Sequence, residues 1–145
     1  MHVSEALEQN KHIVLRFNRE VIEGSNEQVF WDLISPDFIN RTATPSAPSG
    51  PEGMISTFRL LRSAFPNLRV RIHDQLAEGD KVVTRKTIAG VHQGEFMGIP
   101  PSGREIHIEV IDIVRILNGR YIEHWGINTL PAVLAELSAA DSSPR

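Results

Sequence analysis

The apolar period of the chain changes once, near residue 68, and that single change limits the fold more than any other feature. Before it, apolar residues recur at helical spacing. Val3, Leu7, Asn10, Val14, Phe17 and Val21 share one side, supported by Ala6, Ile13 and Ile22, which predicts one helix of about six turns closed by Gly24. Ser25 with Gln28 three residues on reads as a capping box for a second helix. That helix carries Val29, Phe30, Leu33 and Ile34, and Ser35-Pro36 closes it. An extended piece, DFINRT, leads into the loop-like TPSAPSGP. A third helix then places Met54, Ile55, Phe58, Leu61 and Phe65 on one face and stops at Pro66.

After residue 68 the period is two. LRVRIHDQLAEGDKVVTRKTIAGV reads as two strands turning at Gly79-Asp80, and HIEVIDIVRI with RYIEHWGIN as two more turning at Leu117-Asn118-Gly119. Between the pairs lies HQGEFMGIPPSGREI, rich in turn residues. A short helix, LPAVLAEL, precedes a polar tail, SAADSSPR. Helices first and antiparallel strands afterwards predict an α+β domain over residues 1–138, with helices on one face of a sheet and a mobile tail at 139–145.

The chain of 145 residues is long enough for one core without staples. It contains no cysteine, which removes disulfides, thiolate nucleophiles and thiolate metal sites together. Its net charge of −3 argues against nucleic acid as a partner. No apolar run reaches the ~20 residues needed to span a bilayer, and the start, MHVSEALEQNKH, does not resemble a signal peptide. A cytoplasmic protein with no membrane partner is the expectation. No phosphate loop, GxSxG elbow or acidic metal cluster is present. His107-x-Glu109 has the spacing of two strand ligands, but a third ligand on that face is not evident, so no metal is expected.

Three segments, SPDFINR, GEFMGIPPSGREI and DIVRILNGRYIEHW, together with the element order, resemble the SnoaL-like polyketide cyclase family of the nuclear-transport-factor-2-like superfamily, over residues from about 10 to about 138. The resemblance implies a cone: a curved antiparallel sheet wrapped over about three helices, with a deep pocket at its wide end. It also implies ring closure by intramolecular aldol condensation on a hydrophobic carbonyl compound, without metal or organic cofactor. Isomerases, dehydratases, epoxide hydrolases and non-catalytic binding or assembly modules share the cone, so the fold predicts a pocket better than a reaction. The aspartate that the cyclases carry just after their EHW segment falls on Gly126 here, and their histidine on Asp112. The isomerases' tyrosine falls on Phe17, expected at the pocket wall, and their basic aspartate near Thr42.

The closing hairpin has two readings. A two-residue turn at Asn118-Gly119 sets Asp112 opposite Trp125, and a three-residue turn sets Asp112 opposite His124. The second pairs Ile111 with Trp125 and Arg115 with Tyr121 on one face. It gathers Val110, Asp112, Val114, Ile122, His124 and Asn128 on the other, and the isomerases resemble the segment in turning an aspartate at Asp112 into the pocket. An Asp112–His124 pair on the pocket side is therefore expected, with Asp112 as acid/base and His124 as its partner. Asn40, Arg41 and Asn128 are candidate binding residues for a substrate oxygen. His92 is expected at the pocket rim, and Phe96, Met97 and Ile99 as an apolar lid. Ile111, Ile113 and Trp125 form an apolar outer patch, with Arg115 and Glu123 beside it, that a homodimer is expected to bury.

Overall fold

A computed structural model describes residues 2–142. Helix α1 spans His2–Arg16 and passes at Phe17 into a π-helical segment, Phe17–Glu23, so the expected six-turn α-helix changes pitch after four. The wider turn is held from outside the ladder. Asn18 Nδ2 donates to the Val14 carbonyl at 2.8 Å, and Arg62 donates to the carbonyls of Val21 and Ile22. Helix α2 is Glu27–Leu33. Its cap is Asn26, whose side chain accepts from the Val29 N–H at 3.1 Å, rather than Ser25. Ser25 is at φ +60° as the chain leaves the π segment, outside the extended region that an N-cap residue adopts; Gln28 bonds Asp32 instead. Strand β1, Ile34–Asn40, starts directly from α2, and Pro36 is tolerated because β1 lies at the sheet edge. Helix α3, Pro51–Ala64, then precedes four long strands: β2 (Arg69–Glu78), β3 (Lys81–Val91), β4 (Glu105–Leu117) and β5 (Arg120–Asn128). Helix α4, Leu130–Ser142, runs past the predicted end at Leu137 into the expected tail, and 143–145 lie outside the described residues.

The five strands form one sheet in the order β1-β5-β4-β3-β2. Neighbours among β2 to β5 are antiparallel, as expected. β1 is the exception and runs parallel to β5. The architecture is the α+β cone, with the sheet curving over the helices. Apolar side chains from the inner face and the helices form two clusters, one around Phe17, Phe30, Phe38 and Tyr121, the other around Phe65, Phe96, Ile106 and Leu137. Phe58 and Val70 touch both.

The β4–β5 hairpin follows neither predicted register. Its turn is the two-residue Asn118-Gly119, with both residues at positive φ (+52° and +78°), the twist that suits a tight hairpin. Leu117 therefore pairs with Arg120 and Ile116 with Tyr121. Ile122 then bulges, and pairing resumes one residue later with Arg115 opposite Glu123, Ile113 opposite Trp125 and Asp112 opposite Gly126. The bulge restores the facing that a plain two-residue hairpin would have inverted. His124 stays on the inner face with Asp112, one cross-strand position away, while Tyr121 joins them there instead of lying outside beside Arg115.

Candidate active site

A cavity of about 220 Å³ opens between α3, the π segment and the inner face of the sheet. Phe17, Phe58, Leu61, Ile108 and Leu130 supply apolar wall; Asn40, Lys86, Asp112, Tyr121, His124 and Asn128 supply polar groups. Alternation along β4 turns Ile108, Val110, Asp112 and Val114 inward. The same alternation along β3 turns Val82, Thr84, Lys86 and Ile88 inward.

Asp112 is 7 % exposed and forms the centre of the polar set. Its Oδ2 lies 3.2 Å from Lys86 Nζ and 3.6 Å from His124 Nε2. Burial pushes the Asp112 carboxyl up, but the Lys86 ammonium and, when its ring is protonated at Nε2, His124 outweigh burial and hold the group below the usual carboxylate range. Its second oxygen, Oδ1, is buried with no hydrogen-bond partner among the described residues. Lys86, 5 % exposed, also donates to Asn18 Oδ1 at 2.7 Å. The π segment thus reaches across to the charge on β3.

The tautomer of His124 follows from its neighbours. Asn40 Oδ1 accepts from the Thr42 N–H and hydroxyl, both at 3.2 Å, which fixes it as the oxygen of the amide. It lies 3.0 Å from His124 Nδ1, so Nδ1 is the protonated nitrogen that donates to it. In the neutral ring Nε2 then carries the lone pair, on the side of the cavity and of Asp112. Gly126 makes room for this ring. A Cβ there would stand 2.8 Å from His124 Cε1 and 3.2 Å from Nε2, so the imidazole lies across the space that a side chain at 126 would claim. A side chain at 126 would require the His124 ring to shift from its present place. The Thr42 hydroxyl accepts the Gly126 N–H at 3.0 Å and ties β5 to the segment after β1.

Asp112, His124, Asn40, Asn128 and Phe17 are brought together at the cavity. Other predicted residues are placed elsewhere. Arg41 points outward and pairs with Glu123 at 2.8 Å, which also receives Arg115 at 2.9 Å. His92 is fully buried beneath the 92–104 loop and not at a rim: its Nδ1 accepts from the Ser102 N–H at 3.3 Å, and its ring lies 5.5 Å from that of Phe65. Phe96 and Ile99 fill the second core cluster and pair through their backbones, while Met97, between them at φ +49°, is 63 % exposed. They cap the core, and none of the three lines the cavity.

Lys86 and Tyr121 were not anticipated. Lys86 was legible in KVVTRKTIAG, where the period of two that buries Val82 and Ile88 also turns residue 86 inward. Tyr121 required the correct hairpin register. Its ring stacks on Phe17 at 4.5 Å, and burial, aided by the Asp112 charge, pushes its hydroxyl well above its usual range. The phenol stays protonated, and among the described residues nothing hydrogen-bonds to it. His107 lies near Glu105 (3.6 Å) on the outer face, and no group of three His, Asp or Glu suited to a metal ion occurs among the described residues. None of their helices is long and apolar enough to cross a membrane.

The chain is similar in structure to the candidate polyketide cyclase IdmH of Streptomyces antibioticus, with a TM-score of 0.77 and 27 % identity over 90 % of this chain and 99 % of that one. A candidate SnoaL-like polyketide cyclase of Jannaschia sp. CCS1 aligns with a TM-score of 0.78 and 29 % identity, covering 95 % of this chain and 94 % of that one. The candidate hydroxylase AclR of Streptomyces galilaeus shares the fold at a TM-score of 0.81 and 24 % identity, over 91 % and 97 % of the two chains. No curated protein sequence matches. The profile of SnoaL-like polyketide cyclases matches residues 12–137, nearly the whole described chain, and the protein belongs to the SnoaL-like polyketide cyclase family.

Proposed function

We propose that the protein is an acid/base enzyme of the cyclase type, closing a ring by aldol addition within a small, largely apolar carbonyl compound. One observation carries the reading. His124 is anchored through Nδ1 to Asn40, which leaves the Nε2 lone pair facing a cavity beside an ionised carboxylate. The geometry favours His124 as the base and Asp112 as the charge that stabilises the imidazolium formed, an exchange of the roles that the sequence suggests. Lys86 already neutralises Asp112, and a carboxylate held below its usual range is a poor acceptor for a carbon-bound proton.

The step is a proton transfer followed by bond formation. Nε2 takes a proton from the carbon next to a carbonyl, and the electron pair moves onto the carbonyl oxygen as an enolate. The enolate carbon attacks a second carbonyl of the same molecule, and the resulting alkoxide takes the proton back from Nε2. Asn128 and the free Tyr121 hydroxyl are on the cavity wall and suit the oxygens on which charge develops.

The test is hydrogen exchange at carbon. A cyclic β-diketone and a polycyclic ketone are incubated with the protein in deuterated water, and loss of the α-proton signal is followed by NMR. The wild-type protein is expected to accelerate exchange and His124→Ala to abolish the acceleration, by 10²-fold or more where general-base catalysis is lost (an order-of-magnitude figure). A compound that binds in the cavity without any exchange would reject the acid/base reading and leave a binding module.

A further inference from the structure

Lys86 is the one charged cavity residue that the proton transfer does not use. It lies on β3, away from the β1–β5 edge where Asn40 and His124 sit. Two of its three N–H donors are engaged, by Asn18 Oδ1 at 2.7 Å and Asp112 Oδ2 at 3.2 Å, and its side chain borders the cavity. A lysine this deeply buried is costly unless its charge is answered and its donors are used. Asp112 answers the charge, and the third donor remains for whatever occupies the cavity.

The charges support a definite ligand class. Besides the titratable His124 and Tyr121, the cavity is lined by one cation, Lys86, and one anion, Asp112. With His124 neutral and a neutral ligand bound, the sum is zero. If the ligand gives a proton to His124 Nε2, the sum is still zero, now with Lys86 and His124 positive and Asp112 and the ligand negative. Ionisation inside the cavity therefore adds no net charge to a poorly solvated space, and each anion has a cation beside it.

Resting on the acid/base reading above, we infer that Lys86 is the counter-ion of this cavity for a ligand oxygen that becomes negative, so that the cavity selects weak oxygen acids of the enol or phenol type over neutral ketones of the same shape. The proton leaves the ligand O–H or the carbon next to its carbonyl and goes to Nε2. The electron pair stays with the ligand oxygen, against the third N–H of Lys86.

The probe is para-nitrophenol, whose phenolate absorbs at a longer wavelength than the phenol, with nitrobenzene as its neutral counterpart. Wild-type protein is expected to bind the phenol and to raise the phenolate fraction of the bound dye, while Lys86→Met binds it about tenfold less in that form, the equivalent of one pKa unit. Lys86→Arg is expected to keep the preference. Loss of Lys86 leaves Asp112 without its ammonium, and Asp112→Asn leaves Lys86 without its anion, so the circular dichroism spectrum is read for both variants and Asp112→Asn tests the opposite sign. It keeps the shape and frees the lysine, and is expected to bind phenolate more tightly than wild type.

Equal phenolate fractions in wild type and Lys86→Met would overturn the role of Lys86 and leave the acid/base reading standing. So would unchanged or weaker phenolate binding by Asp112→Asn. Binding of nitrobenzene in preference to the phenol would overturn the ligand class alone. Binding of neither dye, together with absence of α-proton exchange in the diketone, would overturn both.

Discussion

The Asp112–Lys86 pair gives this domain a charge it must keep compensated, and acid is the direct way to disturb it. The folded protein holds the Asp112 carboxyl below 3.8, its ordinary value, so the unfolded chain binds that proton more readily than the folded one. The stability the ionised group contributes is complete above 3.8 and is lost as pH falls from there through the lowered folded value. Asp112→Asn removes the charge at every pH and leaves Lys86 buried without its anion, which costs about 3–5 kcal/mol near neutrality. Below the folded value the wild-type carboxyl is protonated and the two proteins are electrostatically alike. The gap between their urea midpoints is therefore expected to be large at neutral pH and to narrow progressively as pH falls below 3.8. A constant gap across that range would mean that the Asp112 carboxyl titrates alike in the folded and unfolded protein and that its charge contributes no stability. The exposed pairs, such as Arg59 with Glu27, do not disturb this comparison because they are common to both proteins.

At the scale of elements, the β4–β5 hairpin decides which residues meet, and it also marks how far the sequence could be read. Strand identities and faces on β2, β3 and β4 follow from the period of two, so Asp112 was legible as an inward residue, and so was Lys86. The pairing partner of Asp112 was not. A bulge leaves no mark in an apolar pattern, because Ile122 suits a ladder position as well as a bulge. The π segment was hidden for a similar reason: Phe17, Val21 and Ile22 fit an α-helical stripe, and what widens the turn is a long-range contact from Arg62. His92 was misplaced because a loop sequence does not say which of its residues turn under it. The bulge itself can be tested. Deleting Ile122 converts the hairpin to a regular ladder in which Arg115 still meets Glu123 and Asp112 still meets Gly126, since the bulge residue is the one without a partner. Cross-strand NOEs between Asp112 and Gly126 are expected to survive the deletion. Their replacement by contacts from Asp112 to Ile127 would mean that the bulge persists at the next residue and does not depend on Ile122.

At the scale of the whole molecule, the sheet divides two tasks between its faces. The inner face is committed to the cores and the cavity. On the outer face Ile111 and Ile127 stand directly opposite each other on β4 and β5, 44 % and 70 % exposed, with Ile113 and Trp125 half-buried beside them. A contiguous apolar group at the middle of a sheet face is a surface a second copy can cover, and two-fold packing lets each copy supply the same patch to the other. The neighbouring charges need no partner chain, since Arg115 is already satisfied by Asp80 at 2.8 Å and by Glu123. We therefore expect a homodimer through this face, with sedimentation equilibrium giving twice the chain mass at micromolar concentration. Ile127 loses little on folding of a single chain at 70 % exposure, so Ile127→Glu is expected to yield a folded monomer with an unchanged circular dichroism spectrum. Because the cavity opens on the other side of the sheet, that monomer should retain its ligand binding. A wild-type protein that sediments as a monomer throughout would reject the dimer, and loss of ligand binding in the Ile127→Glu monomer would show that the two faces are not independent.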